Sequence, residues 1–222
     1  GADTILQRAF ALPTNLLVQA YNKREWPMFL RARGRYKEAD AAARILIAHP
    51  HPVVQATGHI EAGLAALAVN NWGAAGAASN AALKLLRTAP GGAIAASALL
   101  TLQGEFHLRT AAREKGRAAL EEAAKRARAG SGPDHWAQAL FTLEEIARAA
   151  RSVGDWELAG RMARQMLAHD PNYAGAHYAL GLVLEHDNDT PGAVAAFKEA
   201  VRLWSKADPS LPELADARKR LR

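Results

Sequence analysis

Apolar residues recur along the chain at spacings of three and four, which predicts consecutive amphipathic helices. In the clearest stretch, Leu180 and Gly181 lie on one such helix, and Ala193, Phe197 and Ala200 lie on the next. Positions of the same character recur 34 residues earlier in the chain. A period of this length is typical of arrays of helix pairs. We therefore expect an all-α chain that packs as antiparallel helical hairpins.

A second repeated signal falls between the two helices of a pair. A Gly or Asn is followed two positions later by an aromatic residue and five positions later by Ala. Three turns carry the full signal: Gly34, Tyr36 and Ala39; Asn70, Trp72 and Ala75; and Gly154, Trp156 and Ala159. A fourth turn, at Asn188 and Ala193, lacks only the aromatic residue. Gly and Asn adopt the left-handed backbone that ends a helix, and we expect the aromatic ring to pack across the hairpin. The signal therefore predicts hairpin turns at regular intervals.

Residues 174–207 carry the most regular copy, which resembles the tetratricopeptide repeat. The family pattern is an aromatic residue, Leu-Gly, a second aromatic, then Ala, Phe, Ala and a late Pro. This copy departs from the pattern where His177 and Leu184 replace the aromatics, whereas the preceding copy ends in Pro171, where the family has its proline. The resemblance implies a right-handed α-solenoid of antiparallel helix pairs, in a protein of bacterial type.

We predict about five repeats between two capping helices. The third repeat is degenerate, because its turn near 111–115 lacks the Gly or Asn signal, and extra residues on both sides predict longer helices. Pro27 predicts a kinked or shortened first helix in the first repeat. The predicted repeats are 20–53, 56–89, 97–130, 140–173 and 174–207, with caps at 1–19 and 208–222. We expect one continuous array, in which the first helix is a cap rather than a docking helix for a partner.

Composition excludes several classes of protein. Half of the residues are hydrophobic but only 6% are aromatic, because Ala dominates, and this is typical of close-packed helices. The absence of Cys excludes a disulfide framework and a thiolate metal site, and leaves the redox compartment open. The longest nearly uncharged apolar run, 93–102, is shorter than the roughly 20 residues of a membrane span. We predict a soluble protein, cytoplasmic or exported to the periplasm, and the start without Met favours an exported, trimmed chain.

The net charge of +6 is concentrated in the first half of the chain. Eleven basic and six acidic residues precede Ala112. Moderate positive charge on Arg-rich helices is more typical of a hydrated surface than of a nucleic-acid interface. We therefore do not expect a nucleic-acid partner.

The chain lacks the usual motifs of enzymes and metal sites. It has no phosphate-binding glycine loop, no zinc-protease helix and no nucleophile elbow. None of its eight His residues lies three or four positions from another, the spacing that directs two imidazoles at one metal ion. The turn 187–192 begins like a calcium loop, but Pro191 occupies a ligand position and Lys198 replaces the bidentate Glu. We predict no catalytic activity, no cofactor and no metal.

By resemblance, the first helix of each repeat lines a concave groove that binds a segment of another protein. The residues at the groove positions are Tyr21, Arg24, Met28, Arg31, Thr101, Glu105, Leu108, Arg109, Phe141, Glu144, Arg148, Arg151, Tyr178, Leu182, Glu185 and His186. Arginines outnumber acids in this set, which favours an acidic peptide with an apolar anchor. Equally, the arginines could pair with Glu144 and other nearby acids and only keep the groove hydrated. The Lys and Asn clamp of chaperone-binding members is not reproduced, which disfavours a receptor for chaperone tails.

The leading functional hypothesis is a non-catalytic adaptor that binds a protein or peptide in this groove. A second hypothesis is the sensory or oligomerising region of a larger bacterial regulator with its effector domain elsewhere, because 204–214 resembles the end of such repeat regions. A third is self-association into a homo-oligomer through the Ala-rich outer surfaces.

Overall fold

The computed structural model describes residues 2–13, 21–110, 112–130 and 133–222, and all regular structure in these ranges is helical. The α-helices, numbered in chain order, are α1 (Ala2–Ala11), α2 (Glu25–Ala32), α3 (Tyr36–Ile47), α4 (Pro52–Ala68), α5 (Trp72–Thr88), α6 (Ala96–Arg109), α7 (Arg113–Ala129), α8 (Pro133–Ser152), α9 (Trp156–His169), α10 (Ala174–His186), α11 (Thr190–Leu203) and α12 (Pro212–Arg220). Short 3₁₀ helices, Gly92–Ala95 and Trp204–Lys206, precede α6 and follow α11. The predicted all-α class of paired helices is confirmed.

The chain folds as two compact units, Gly1–Ala123 (unit 1) and Ala124–Arg222 (unit 2). In each unit, helices adjacent in sequence pack on one another, most extensively α4 on α5 and α10 on α11. The division falls inside α7, in the degenerate third repeat, rather than in a loop. Ala111 in the turn of that repeat, and the predicted boundary between residues 19 and 20, lie outside the described residues.

The turns between paired helices share one backbone geometry. Gly34, Asn70, Gly154 and Asn188 have φ between 60° and 74°, in the left-handed region. In each turn the next residue donates its N–H to the carbonyl five positions earlier, at 2.8–2.9 Å. This bond caps the end of the first helix and reverses the chain. The left-handed conformation predicted for the Gly and Asn positions is therefore found at all four turns.

Close helix packing depends on two glycines in corresponding positions. A methyl group at Gly181 would lie 2.6 Å from the ring of Phe197, which is almost completely buried between α10 and α11. A methyl group at Gly104 would lie 2.5 Å from Leu120, at the same separation of 16 residues along the chain. The degenerate repeat thus keeps the close approach of its helices although it has lost the turn signal.

The helix that contains Pro27, α2, is short. Helix α2 has eight residues and begins at Glu25, so Pro27 lies in its first turn, where a missing N–H breaks no helical hydrogen bond. Across the described ranges, no helix is both long and apolar enough to cross a membrane.

Candidate functional site

The arginines predicted for the groove in unit 1 point into the protein. Arg24 Nε and Arg31 Nη2 each lie 3.1 Å from a carboxylate oxygen of Glu61 on α4. The Glu61 side chain is fully buried, and the arginine side chains are only 11% and 12% exposed. Arg24 also donates a hydrogen bond of 2.7 Å to the hydroxyl of Tyr21, which is buried. These cations are therefore held inside unit 1.

The other groove positions of unit 1 are also largely buried. Thr101, Glu105 and Leu108 on α6 are buried, and Met28 on α2 is half-buried. Arg109 Nη2 lies 3.9 Å from the carboxylate of Glu105, one turn earlier on the same helix. Side chains buried to this extent offer no open surface to a ligand, so the candidate site does not include unit 1.

In unit 2 the predicted residues on α8 share one side of the helix. Phe141, Glu144, Arg148 and Arg151 follow one another at spacings of three, four and three, which aligns them along the helix. Phe141 is 41% exposed and Arg148 is also exposed. This side of α8 therefore presents an aromatic ring next to charged groups.

Helix α12 lies beside the predicted residues of α10. The hydroxyl of Tyr178 on α10 donates a hydrogen bond of 2.8 Å to Asp216 on α12. Glu185, two turns further along α10, forms an ion pair with Arg220. Two polar contacts thus join the groove positions of α10 to one side of α12.

A third contact joins α12 to α8, across α10. Arg148 Nη2 lies 3.3 Å from Glu213 of α12 and 3.1 Å from Glu144 of its own helix. The surface is therefore formed by three helices, α8, α10 and α12. We call it the three-helix face, and it comprises Phe141, Glu144, Arg148, Arg151, Tyr178, Leu182, Glu185, Glu213, Asp216 and Arg220.

The sequence predicts a capping helix at 208–222, and the polar side of α12 is not among its predicted site residues. The capping contact is present, because Leu214 and Ala217 are buried and Ala217 packs in the cluster of Phe197, to which Leu182 also contributes. The missed side carries Glu213, Asp216 and Arg220. Their spacing of three and four residues was the signal that could have placed them on one face.

Glu144 is anchored from two sides. It accepts a short hydrogen bond from the hydroxyl of Tyr173 as well as the bond from Arg148. Burial, followed by the nearby charge of Glu144, raises the pKa of Tyr173 well above its ordinary value. Tyr173 therefore remains a neutral donor, and its hydrogen bond holds the Glu144 carboxylate in place within the three-helix face.

Arg151 differs from the other arginines of the three-helix face. Its Nη1 atom is buried and has no hydrogen-bond partner among the described residues. Burial, and after it the positive charge of Arg148, lowers the pKa of the Arg151 guanidinium, whereas Tyr178, Glu144 and Glu213 act in the opposite direction. A guanidinium with an unused buried donor is energetically unfavourable unless an acceptor reaches it.

His186 does not join the charged groups of this face. Its ring stacks on Trp156 at the start of α9, with a centroid separation of 4.3 Å and an interplanar angle of 11°. Among the described residues, no cluster of three His, Asp or Glu side chains could hold a metal ion. The arrangement is suited to non-covalent recognition through an aromatic ring and charged groups of both signs.

Comparison with known proteins identifies the repeats. The family model described as Tetratricopeptide repeat matches residues 144–212. No curated protein gives a significant match to the chain. Solved structures with a similar fold are the APC/C hetero-tetramer Cut9-Hcn1 (14% identity, TM-score 0.58, covering 99% of this chain and 39% of that one) and the apo form of RapI (12%, 0.59, 99% and 63%). BtubC from P. vanneervenii is also similar (14% identity, TM-score 0.56, covering 95% and 91%).

This chain spans about two fifths of the Cut9-Hcn1 chain and less than two thirds of the RapI chain. At 12–14% identity these structures show the fold alone. The family model covers α9, α10, α11 and the part of α8 from Glu144 onward, but only the first residue of α12. Residues 144–212 therefore match tetratricopeptide repeats, and the helix-pair fold of the described residues is similar to that of tetratricopeptide-repeat proteins.

Proposed function

We propose that this chain is a non-catalytic adaptor that binds a segment of another protein on the three-helix face. Tetratricopeptide repeats are in general scaffolds for protein–protein interaction, and their fold is typically non-catalytic. The observation that carries the proposal is the exposed ring of Phe141 on the same side of α8 as Arg148 and Arg151.

Aromatic and arginine side chains supply most of the binding free energy in typical protein interfaces. Phe141 offers a large apolar contact area that water covers in the unbound chain. The charged groups around it give orientation, since a ligand must match both arginines and carboxylates. A protein segment with an apolar anchor flanked by charged side chains fits this surface.

The buried arginines of unit 1 are a further reason to place the binding surface in unit 2. Its groove arginines, Arg24 and Arg31, are already bound to the buried carboxylate of Glu61. Releasing them would leave that carboxylate buried without a counter-ion, at a high cost in free energy. A ligand therefore gains more from the three-helix face.

The proposal is tested by screening a synthetic peptide library with free carboxyl termini against the whole chain. Peptides that bind are then measured on the Phe141→Glu variant and on Ile45→Glu, a matched control at an apolar side chain of α3 that is 62% exposed. We expect Phe141→Glu to weaken binding by about tenfold or more, because truncating an interface anchor costs at least that much. Ile45→Glu should leave the affinity unchanged. Equal affinities of the two variants would overturn the proposal.

A further inference from the structure

We propose that a pocket between α1 and the start of α2, in unit 1, binds a small amphipathic anion. The apolar body of the ligand lies between the two helices, and its negative head lies beside Lys23. None of the residues that line this pocket is a predicted groove position or part of the three-helix face. The inference therefore goes beyond the proposed function and does not depend on it.

The size and the walls of the α1–α2 pocket suit an apolar body. Its volume is about 320 Å³, within the range of natural ligand pockets. Benzene fills an apolar cavity of about 150 Å³, so this pocket suits a ligand of roughly twelve non-hydrogen atoms. The apolar walls are Leu6, Ala9, Phe10, Leu12, Pro13 and Trp26.

Contacts within unit 1 hold these walls in place. Trp26 is only 8% exposed, and Leu6 and Phe10 of α1 pack on the cluster to which it belongs. At the start of α1, Asp3 pairs with Arg35 at a distance of 2.9 Å. A ligand therefore enters a pocket whose walls are already ordered, which lowers the entropic cost of binding.

The rim of the α1–α2 pocket leaves apolar surface in contact with water. Leu12 is 63% exposed, although it lines the pocket. A ligand that covered this side chain would gain free energy in proportion to the apolar area removed from water. The apolar part of the ligand therefore supplies most of the affinity.

Lys23 determines the sign of the head group. Its ammonium lies 5.9 Å from the centroid of the Phe10 ring, which is one of the walls, and among the described residues it forms no ion pair. The other polar residues of the lining, Asn22 and Glu25, already have interaction partners. A neutral ligand would cover Lys23 without a counter-charge, and a cationic one would be repelled. An anionic head avoids both costs.

The inference is tested by calorimetric titration of the whole chain with decanoate. Decanol and decyltrimethylammonium are the neutral and cationic probes of the same chain length, and 1-naphthoate tests whether a ring can replace the chain. We expect decanoate to bind about threefold to fivefold more tightly than decanol, as for a partly exposed ion pair, and the cation to bind most weakly. Hexanoate should bind at least about tenfold more weakly than decanoate, because each buried methylene group contributes about fourfold.

Two pairs of variants locate the ligand. Ala9→Phe places a ring in the pocket and should abolish binding, whereas Ala11→Phe, at an exposed position of α1 outside the lining, should bind as the wild type does. Lys23→Gln should lower the affinity for decanoate to that for decanol and leave decanol unaffected. Lys37→Gln, at an exposed lysine of α3, is its matched control and should change neither affinity.

Equal affinities of Ala9→Phe and Ala11→Phe for decanoate would overturn the pocket. Equal binding of the three decyl probes, or an unchanged preference for decanoate in Lys23→Gln, would overturn the assignment of the anionic head. Absence of binding by all the probes would refute the inference as a whole, and the peptide screen on the three-helix face would be unaffected.

An independent readout is the indole Nε1–H signal of Trp26 in nuclear magnetic resonance, assigned with Trp26→Phe. Because Trp26 lines the pocket, this signal should shift when decanoate is added to the wild-type chain and stay in place in Ala9→Phe. An unchanged signal at saturating decanoate would show that the acid binds elsewhere and would contradict the inference.

Discussion

At the scale of single residues, the two units use their arginines differently. In unit 1, Arg24 and Arg31 neutralise Glu61, the only acid of α4, whose side chain is fully buried. In unit 2, Arg148, whose side chain is 44% exposed, pairs with Glu144 and Glu213. Removing one partner of a buried ion pair is strongly destabilising, so Arg24 and Arg31 are needed as counter-ions of Glu61, whereas the exposed pairs of Arg148 contribute little to stability.

Glu61→Gln should strongly destabilise unit 1, because it removes the buried carboxylate that both arginines bind. Removing one partner of a buried ion pair typically costs about 3–5 kcal/mol. Urea unfolding of the whole chain measures this, and Asp40→Asn is the control, since Asp40 pairs with Arg44 on the surface of α3. If the two variants unfolded at the same urea concentration, the buried network would not have the stabilising role assigned to it.

The Glu61 network could not be predicted from the sequence. The arginines were identified from the repeat spacing, but their partner lies 30 and 37 residues away in another helix. Local periodicity does not encode such a pairing. A lone carboxylate within an apolar helix was the available clue, since such a group requires a cation when buried.

At the scale of helices and turns, the sequence was more informative. The turn geometry depends on one left-handed residue, and only Gly and Asn adopt that backbone at low cost. The positions of Gly34, Asn70, Gly154 and Asn188 could therefore be predicted without tertiary information. The turn and packing signals describe only the cap contact of α12. The spacing of Glu213, Asp216 and Arg220 places them on one face of the helix, but it does not show which helices they contact.

Asn188→Ala should destabilise unit 2 by about 1–2 kcal/mol, because an Ala in the left-handed region brings its Cβ too close to the backbone. Asn188→Gly keeps the turn geometry and should retain wild-type stability. The difference is measured by the midpoint of urea unfolding. Equal midpoints for the Ala and Gly variants would show that the left-handed turn does not limit stability.

At the scale of the whole molecule, the repeats are continuous in sequence but their surfaces differ. The division between the units falls in α7, in the repeat whose turn signal is lost. Unit 1 buries the residues predicted for the groove, whereas unit 2 presents them together with α12. Repeat proteins vary the side chains beside a constant scaffold, so one array can contain both structural and binding segments.

Site-specific photo-crosslinking in the whole chain tests the location of the binding surface most directly. p-Benzoylphenylalanine is placed at Phe141 on the three-helix face or at Ile45 in unit 1, and each protein is irradiated with a peptide from the screen. The account predicts efficient cross-linking from Phe141 and only background from Ile45. Equal yields at the two positions, or a higher yield at Ile45, would contradict binding at the three-helix face.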